Sequence, residues 1–169
     1  MTAVADSHLL DALLDSWDRN NRIVVNLLRL IRDEHLDARP IEGSPSIAEL
    51  FMHLHYVRLV FVFEDAPEFG KVLPVGEWEP ERDRLRMIEM LNDSAEAVRG
   101  AVKGRVTAGQ PMDRHYDHQI LMLQHLIWHE GYHHGQIKLT LKLAGRAWSD
   151  EAAGRGTWGV WMDRKAQIK

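Results

Sequence analysis

Four long segments of the chain repeat apolar residues every three or four positions, a spacing that is typical of helices with one buried face. The pattern predicts helices over about residues 6–35, from Ser46 through the sixties, over 80–102 and over 117–143. Prolines and glycines separate these segments, and no stretch alternates apolar and polar residues as a half-buried strand would. The sequence therefore predicts an all-α fold, a four-helix bundle.

The boundaries of the segments carry recognisable signals. Ser46 and Glu49 have the spacing of a capping box, which begins a helix, and Gly145 is placed to end the fourth one. The pattern of the third segment is interrupted by Gly104, Gly109, Pro111 and Asp113. Residues 66–80 form a proline- and glycine-rich loop, and loops of that length often cover a pocket. The segment from residue 146 onward is rich in tryptophan and is expected to pack back on the bundle.

Composition limits the classes of function. A chain of 169 residues predicts a single domain over 1–169, and a net charge of −4 gives no reason to expect nucleic acid or an anionic membrane as a partner. The absence of cysteine excludes thiolate ligands and thiolate nucleophiles. The N-terminus does not read as a signal peptide, and the longest apolar run, 59–63, is too short for a membrane span. We therefore expect a soluble, cytoplasmic protein.

Histidines recur every four residues in the fourth segment, at His125, His129 and His133. Side chains at positions i and i+4 are neighbours on a helix surface, so these imidazoles are expected to form one stripe. His129, Glu130 and His133 also spell a literal H-E-x-x-H, the spacing that lets two imidazoles share a metal ion. The spacing alone leaves two alternatives open, a metal site and an ordinary histidine-rich helix.

A third ligand can come from the second helix. His53 lies on the apolar stripe of that helix, whereas His55 is rotated by about 200° and is expected to meet solvent or a partner. His53 with His129 and His133 would bind Zn²⁺, Ni²⁺ or Fe²⁺ and leave a coordination position open, as catalytic sites do. The alternative for His53 alone is a core histidine with ordinary hydrogen bonds.

A zincin-type metalloprotease is a second interpretation of the motif, with Glu130 as general base. It requires a third ligand downstream, and no histidine occurs after His134. Glu151 is the one glutamate in that region, and no strand precedes the helix to align a peptide. The context therefore disfavours a protease, and Glu130, next to a ligand, could equally be an exposed residue.

Two motifs resemble those of the DinB/YfiT-like family of metal-dependent enzymes. Residues 46–53, SIAELFMH, are similar to the start of that family's second helix, and residues 129–137, HEGYHHGQI, are similar to its H-x-x-x-H-R-G-Q signature. The aromatic segment 157–161 also fits. The resemblance implies metal ligands at His53, His129 and His133. His134 stands where the family commonly has arginine, and Gln136 is a candidate for a hydrogen bond to a ligand.

The resemblance also implies a function. Members of the DinB/YfiT-like family are often homodimers with a divalent metal. Their activities include thiol transfer and thiol-dependent isomerisation, in some relatives with bacillithiol or mycothiol. We therefore expect a metal-dependent transferase, isomerase or hydrolase that acts on a small molecule. The alternative is a non-catalytic metal- or small-molecule-binding helical dimer. An enzyme should have a pocket that leads to the metal, covered by the 66–80 loop or by the tryptophan-rich tail.

Overall fold

The computed structural model describes residues 2–79 and 81–163, and within them it contains helices and no strand. The predicted all-α four-helix bundle is therefore confirmed. None of these helices combines the length and the apolar character that crossing a membrane requires. The elements are α1 (Thr2–Leu30), α2 (Ile47–Asp65), α3 (Arg84–Ala108), α4 (Gln119–Leu143) and the short α5 (Asp150–Gly156), with one-turn 3-10 helices at Asp33–His35, Pro67–Phe69 and Trp158–Met162.

The four long helices bury their apolar faces against one another. α3 packs against both α1 and α2, and α4 contacts all three. Trp17 of α1 is fully buried, and its indole Nε1 donates to the carbonyl oxygen of Ala95 at 2.9 Å, which ties α1 to α3. A buried indole N–H needs such a partner, so this contact fixes the two helices without an unpaired donor.

The predicted boundaries of α2 and α4 are confirmed by their hydrogen bonds. Ser46 Oγ accepts from Glu49 N at 3.3 Å, and Glu49 Oε2 accepts from Ser46 N at 2.6 Å, which completes the capping box. At the end of α4, Gly145 has a φ of +71°, and Arg146 N donates to Leu141 O at 2.8 Å. That closing turn is why the helix that carries the histidines stops there.

The prediction for α3 was wrong in its limits. The helix begins at Arg84, where Asp83 caps it, and continues beyond Gly104 to Ala108. Gly104 does not break the helix, because it serves packing: a Cβ at this position would overlap the ring of Phe69. The stop is Gly109, whose φ of +63° favours glycine.

The tail packs back on the bundle, as predicted, and it does so on α1. Arg19 Nη1 donates to Val160 O at 2.7 Å, and both α5 and the following 3-10 helix contact α1. Trp158 and Trp161 stay 54% and 41% exposed, so these tryptophans are not core residues. The residues that flank the histidines come from the loop before α3 instead.

Candidate metal centre

α2 and α4 bring three imidazoles together. His53 Nε2 lies 3.2 Å from His129 Nε2, and His133 Nε2 lies 3.0 Å from the same atom. His53 and His133 are buried and His129 is half-buried. Among the described residues, these three are the group whose ligand atoms could hold a metal ion, all within 4.8 Å of one another. The structure thus assembles the three residues selected from the sequence.

The spacing of the nitrogens fits a divalent metal. Zinc binds imidazole nitrogens at about 2.0–2.1 Å, so two nitrogens at adjacent tetrahedral positions lie about 3.3–3.4 Å apart. The observed separations of 3.0 and 3.2 Å need little adjustment to reach that arrangement. A metal site of this kind would therefore require small side-chain movements and no rearrangement of the helices.

Burial keeps the imidazoles neutral, which is the form that binds a metal. Burial, and secondarily the neighbouring His133, lower the pKa of His53 to about 4. Burial followed by the adjacent histidines also lowers the pKa of His129 to about 4. Burial lowers the pKa of His133 as well, although its hydrogen bond to Gln136 acts in the opposite direction. At neutral pH all three rings therefore offer lone pairs.

Gln136 orients His133, as the sequence had suggested. Its Oε1 lies 2.7 Å from His133 Nδ1, and its Nε2 donates to Tyr132 Oη at 2.9 Å. Because the amide nitrogen is engaged by the tyrosine, the oxygen faces the imidazole. The proton of His133 is therefore placed on Nδ1, and Nε2 carries the lone pair.

The positions of the imidazole protons favour a shared cation. Glu77 Oε1 lies 2.9 Å from His53 Nδ1, a short contact that is poorly aligned for a hydrogen bond but favours a proton on that nitrogen. The Nε2 lone pairs of His53 and His133 then both approach His129 Nε2. One imidazole proton cannot satisfy both acceptors well, whereas a cation bound by all three nitrogens can.

The loop before α3 closes over this cluster, in agreement with the expectation that it covers a pocket. Trp78 stacks on His53, with ring centroids 4.4 Å apart and an interplanar angle of 5°. Glu77, the preceding residue, contacts the same imidazole. The loop thus supplies one aromatic and one acidic side chain to a cluster whose three candidate ligands are on helices.

Glu130, the central residue of the H-E-x-x-H string, is buried and not exposed. Its Oε1 accepts from Arg58 Nε at 2.6 Å, and its Oε2 accepts from Arg58 Nη2 at 2.8 Å and from Asn20 Nδ2 at 2.6 Å. Arg58 and Glu130 are 0% and 1% exposed. The carboxylate is therefore committed to an internal ion pair, which leaves it unsuited to the role of a zincin general base.

The remaining candidate histidines lie outside the cluster. His125 is exposed, and its Nδ1 lies 2.8 Å from Tyr116 Oη. His134 is half-buried beside its neighbour His133 but does not join the group. The expectation that His55 meets solvent was wrong: it is 6% exposed, and its Nδ1 lies 2.8 Å from the carbonyl oxygen of Met90 on α3. α2 is buried on more than one face, so His55 is buried although it lies on a different face of the helix from His53.

Glu77 and Arg58 were not selected from the sequence. Arg58 could have been noticed, because it is the one Lys, Arg, Asp or Glu side chain between Leu50 and Phe63, and a lone charge in so apolar a helix needs a buried partner. Glu77 had no comparable signal beyond its place in a long loop.

Replacing Glu77 by glutamine is expected to weaken metal binding. Carboxylates that contact a ligating histidine raise its basicity, and their loss typically costs about 10- to 100-fold in metal affinity. Calorimetric titration of metal-free protein with Zn²⁺ measures this. Glu79→Gln is the matched control, since Glu79 accepts from Gly76 N within the same loop and has no contact with the three imidazoles. Equal affinities for the two variants would contradict a role for Glu77.

A comparison with protein-family models matches residues 4–150 to the DinB family. No curated protein and no solved structure shows significant similarity to the chain. The match spans all four long helices and therefore includes His53, His129 and His133. With its helical bundle and its cluster of three histidines, the chain belongs to the DinB family.

Proposed function

We propose that this protein is a metal-dependent enzyme acting on a small molecule, with one divalent ion held by His53, His129 and His133. The observation that carries the proposal is the close approach of three neutral imidazoles. Nε2 of His129 lies 3.2 Å from Nε2 of His53 and 3.0 Å from Nε2 of His133. A divalent ion with three histidine ligands keeps a position for substrate and acts there as a Lewis acid. Imidazole suits Zn, Ni and Fe, and the proposal covers each of them.

The surrounding residues have roles that follow from their contacts. Gln136 hydrogen-bonds to Nδ1 of His133 and so holds the Nε2 atom of that ring inward, and the Glu77 carboxylate lies against Nδ1 of His53. Trp78 covers one face of His53 and excludes water from it. Family membership favours thiol-dependent transfer or isomerisation as the reaction, with a low-molecular-weight thiol as cosubstrate, and hydrolysis as the second class.

Two observations support this proposal over a non-catalytic metal site. The cluster contains three ligating side chains, whereas a closed structural zinc site has four. A cavity of about 290 Å³ adjoins it and is lined in part by His133. A substrate in this cavity would therefore lie beside His133. A zincin mechanism lacks support, because Glu130 is bound by Arg58 and Asn20.

Protein purified without chelators is expected to retain about one divalent ion per chain, because the three nitrogens are already assembled. Elemental analysis measures this, and a screen of thiols against small electrophiles then tests for transfer. Activity should require both metal and thiol, disappear with a chelator and return with the metal. Protein that neither retains a divalent ion nor takes up Zn²⁺, Ni²⁺ or Fe²⁺ would exclude the proposed function.

A further inference from the structure

An apolar cavity lies beside the cluster of histidines. It has a volume of about 290 Å³, is open to solvent on one side, and is lined by the loop before α2, the loop before α3 and the outer side of α4. A cavity of about 150 Å³ holds a benzene molecule, so this one has room for a ring and several further carbon atoms. Its principal walls are Leu50, Trp78, Tyr132, His133, Leu139 and Thr140.

The cavity offers no counter-charge to a charged group. Among the residues that the structure describes, no Asp, Glu, Lys or Arg lines it. The polar side chains that do line it are engaged by their neighbours: Ser44 Oγ donates to Ile41 O at 2.7 Å, and Thr140 Oγ1 donates to Gln136 O at 2.9 Å. Gln136 itself bridges His133 and Tyr132. A carboxylate or ammonium placed here would lose hydration without gaining a counter-charge, whereas an apolar group would gain burial.

Two walls of the cavity belong to the candidate metal centre. His133 contributes its imidazole to both, and Trp78 lines the cavity while it stacks on His53. Of the three imidazoles, that of His133 is the one whose residue lines the cavity, so a substrate bound at the cluster has the cavity beside it on the side of His133 and Trp78. The geometry thus places an apolar cavity next to the imidazole cluster, where the proposed metal would bind the reacting group of the substrate.

We propose that this cavity is the substrate-specificity site, and that it binds an uncharged aromatic or branched aliphatic arm of the substrate. This inference rests on the proposed function for the position of the reacting group, but the affinity of the cavity for apolar groups is independent of any metal. The same chemistry excludes the carboxylate-bearing part of a thiol cosubstrate from this position, so the arm belongs to the molecule on which the enzyme acts.

The test uses a series of thiols on Co²⁺-loaded protein, with dissociation constants read from the thiolate-to-cobalt absorption. Ethanethiol, butanethiol and 2-phenylethanethiol should bind with increasing affinity, by about fourfold for each methylene buried. A carboxylate on the far end of the phenyl ring should remove most of that gain. Affinities that do not change along the series would overturn the proposal.

Leu139 provides the variants, because it lines the cavity and is 54% exposed, so that a larger side chain is tolerated. Leu139→Trp should fill the entrance and lower the affinity for 2-phenylethanethiol at least tenfold while leaving ethanethiol unchanged. Leu139→Arg should restore binding of the carboxylated thiol. Leu143→Trp is the matched control one turn further along α4, 63% exposed and outside the cavity. If Leu139→Trp and Leu143→Trp lose affinity for 2-phenylethanethiol equally, the cavity is not the site that binds the phenyl ring.

Failure of the proposed function can be distinguished from failure of this inference. Binding of 2-phenylethanol to metal-free protein, followed by NMR shifts of the Thr140 methyl and the Trp78 indole, reports on the cavity alone. Shifts at these two residues that Leu139→Trp abolishes support the cavity site even if no metal binds. Absence of such shifts overturns it.

Discussion

Glu130→Ala is expected to lower the free energy of unfolding by about 3–5 kcal/mol, because it leaves the Arg58 guanidinium buried without its counter-charge. Arg58 is 0% exposed and donates two hydrogen bonds to this carboxylate, and Asn20 donates a third. For a chain of this size the melting temperature should fall by about 6–20 °C, as differential scanning calorimetry would measure.

Glu151→Ala is the control for that experiment. Glu151 is exposed and pairs with Arg155 at 2.5 Å on the surface of α5, where an ion pair contributes about 0–1 kcal/mol. If the two alanine variants had similar melting temperatures, the role assigned to the buried pair would be wrong. Replacing Arg58 and Glu130 together by methionine should destabilise the protein by less than the sum of the single replacements, since neither charge is then left alone.

This prediction also separates a DinB-type site from a protease. In a zincin, the glutamate of H-E-x-x-H acts on water at the metal, so its replacement removes activity and leaves the fold intact. Here Glu130 accepts all three of its side-chain hydrogen bonds from Arg58 and Asn20, so its replacement should act first on stability. The same H-E-x-x-H string therefore has a different physical meaning in this bundle.

The sequence could predict the three imidazoles because helical periodicity determines which side chains share a face. His129 and His133 are one turn apart, and His53 lies on the apolar stripe of α2, so a bundle that buries both stripes brings them together. The capping box at Ser46 and the glycine at 145 determine where the two helices begin and end, and local chemistry was sufficient there.

The position of Glu130 directly after His129 does not by itself show that the side chain is buried. Glu130 also lies four residues after Leu126 and three before His133, both of which are buried, so it belongs to the inward face of α4. Its partner Arg58 is 72 residues away on α2, and no local pattern specifies that pairing. Glu77 could not be predicted either, because periodicity does not determine the path of a long loop.

His53→Ala is expected to abolish specific metal binding, because it removes the imidazole that α2 contributes to the proposed site and leaves the two imidazoles of α4. A ligand present at a hundredfold excess over its dissociation constant stabilises a protein by about 2.7 kcal/mol, which is about 5–11 °C in melting temperature for a chain of this size. Zn²⁺ or Ni²⁺ should raise the melting temperature of the wild-type protein by that amount and leave that of His53→Ala unchanged. Circular dichroism of the metal-free variant should show unchanged helicity.

His125→Ala is the matched control, because His125 is exposed one turn before His129 and does not belong to the cluster. It should retain the full metal-induced rise, and so should Glu151→Ala, whose carboxylate pairs with Arg155 on the surface. Full affinity in His53→Ala would exclude the site that joins α2 to α4. A large loss of metal binding in Glu151→Ala would instead support a metal ligand downstream of the H-E-x-x-H string. Because the Nε2 atoms of His53 and His133 both approach that of His129, His129→Ala should lose metal binding as completely as His53→Ala does.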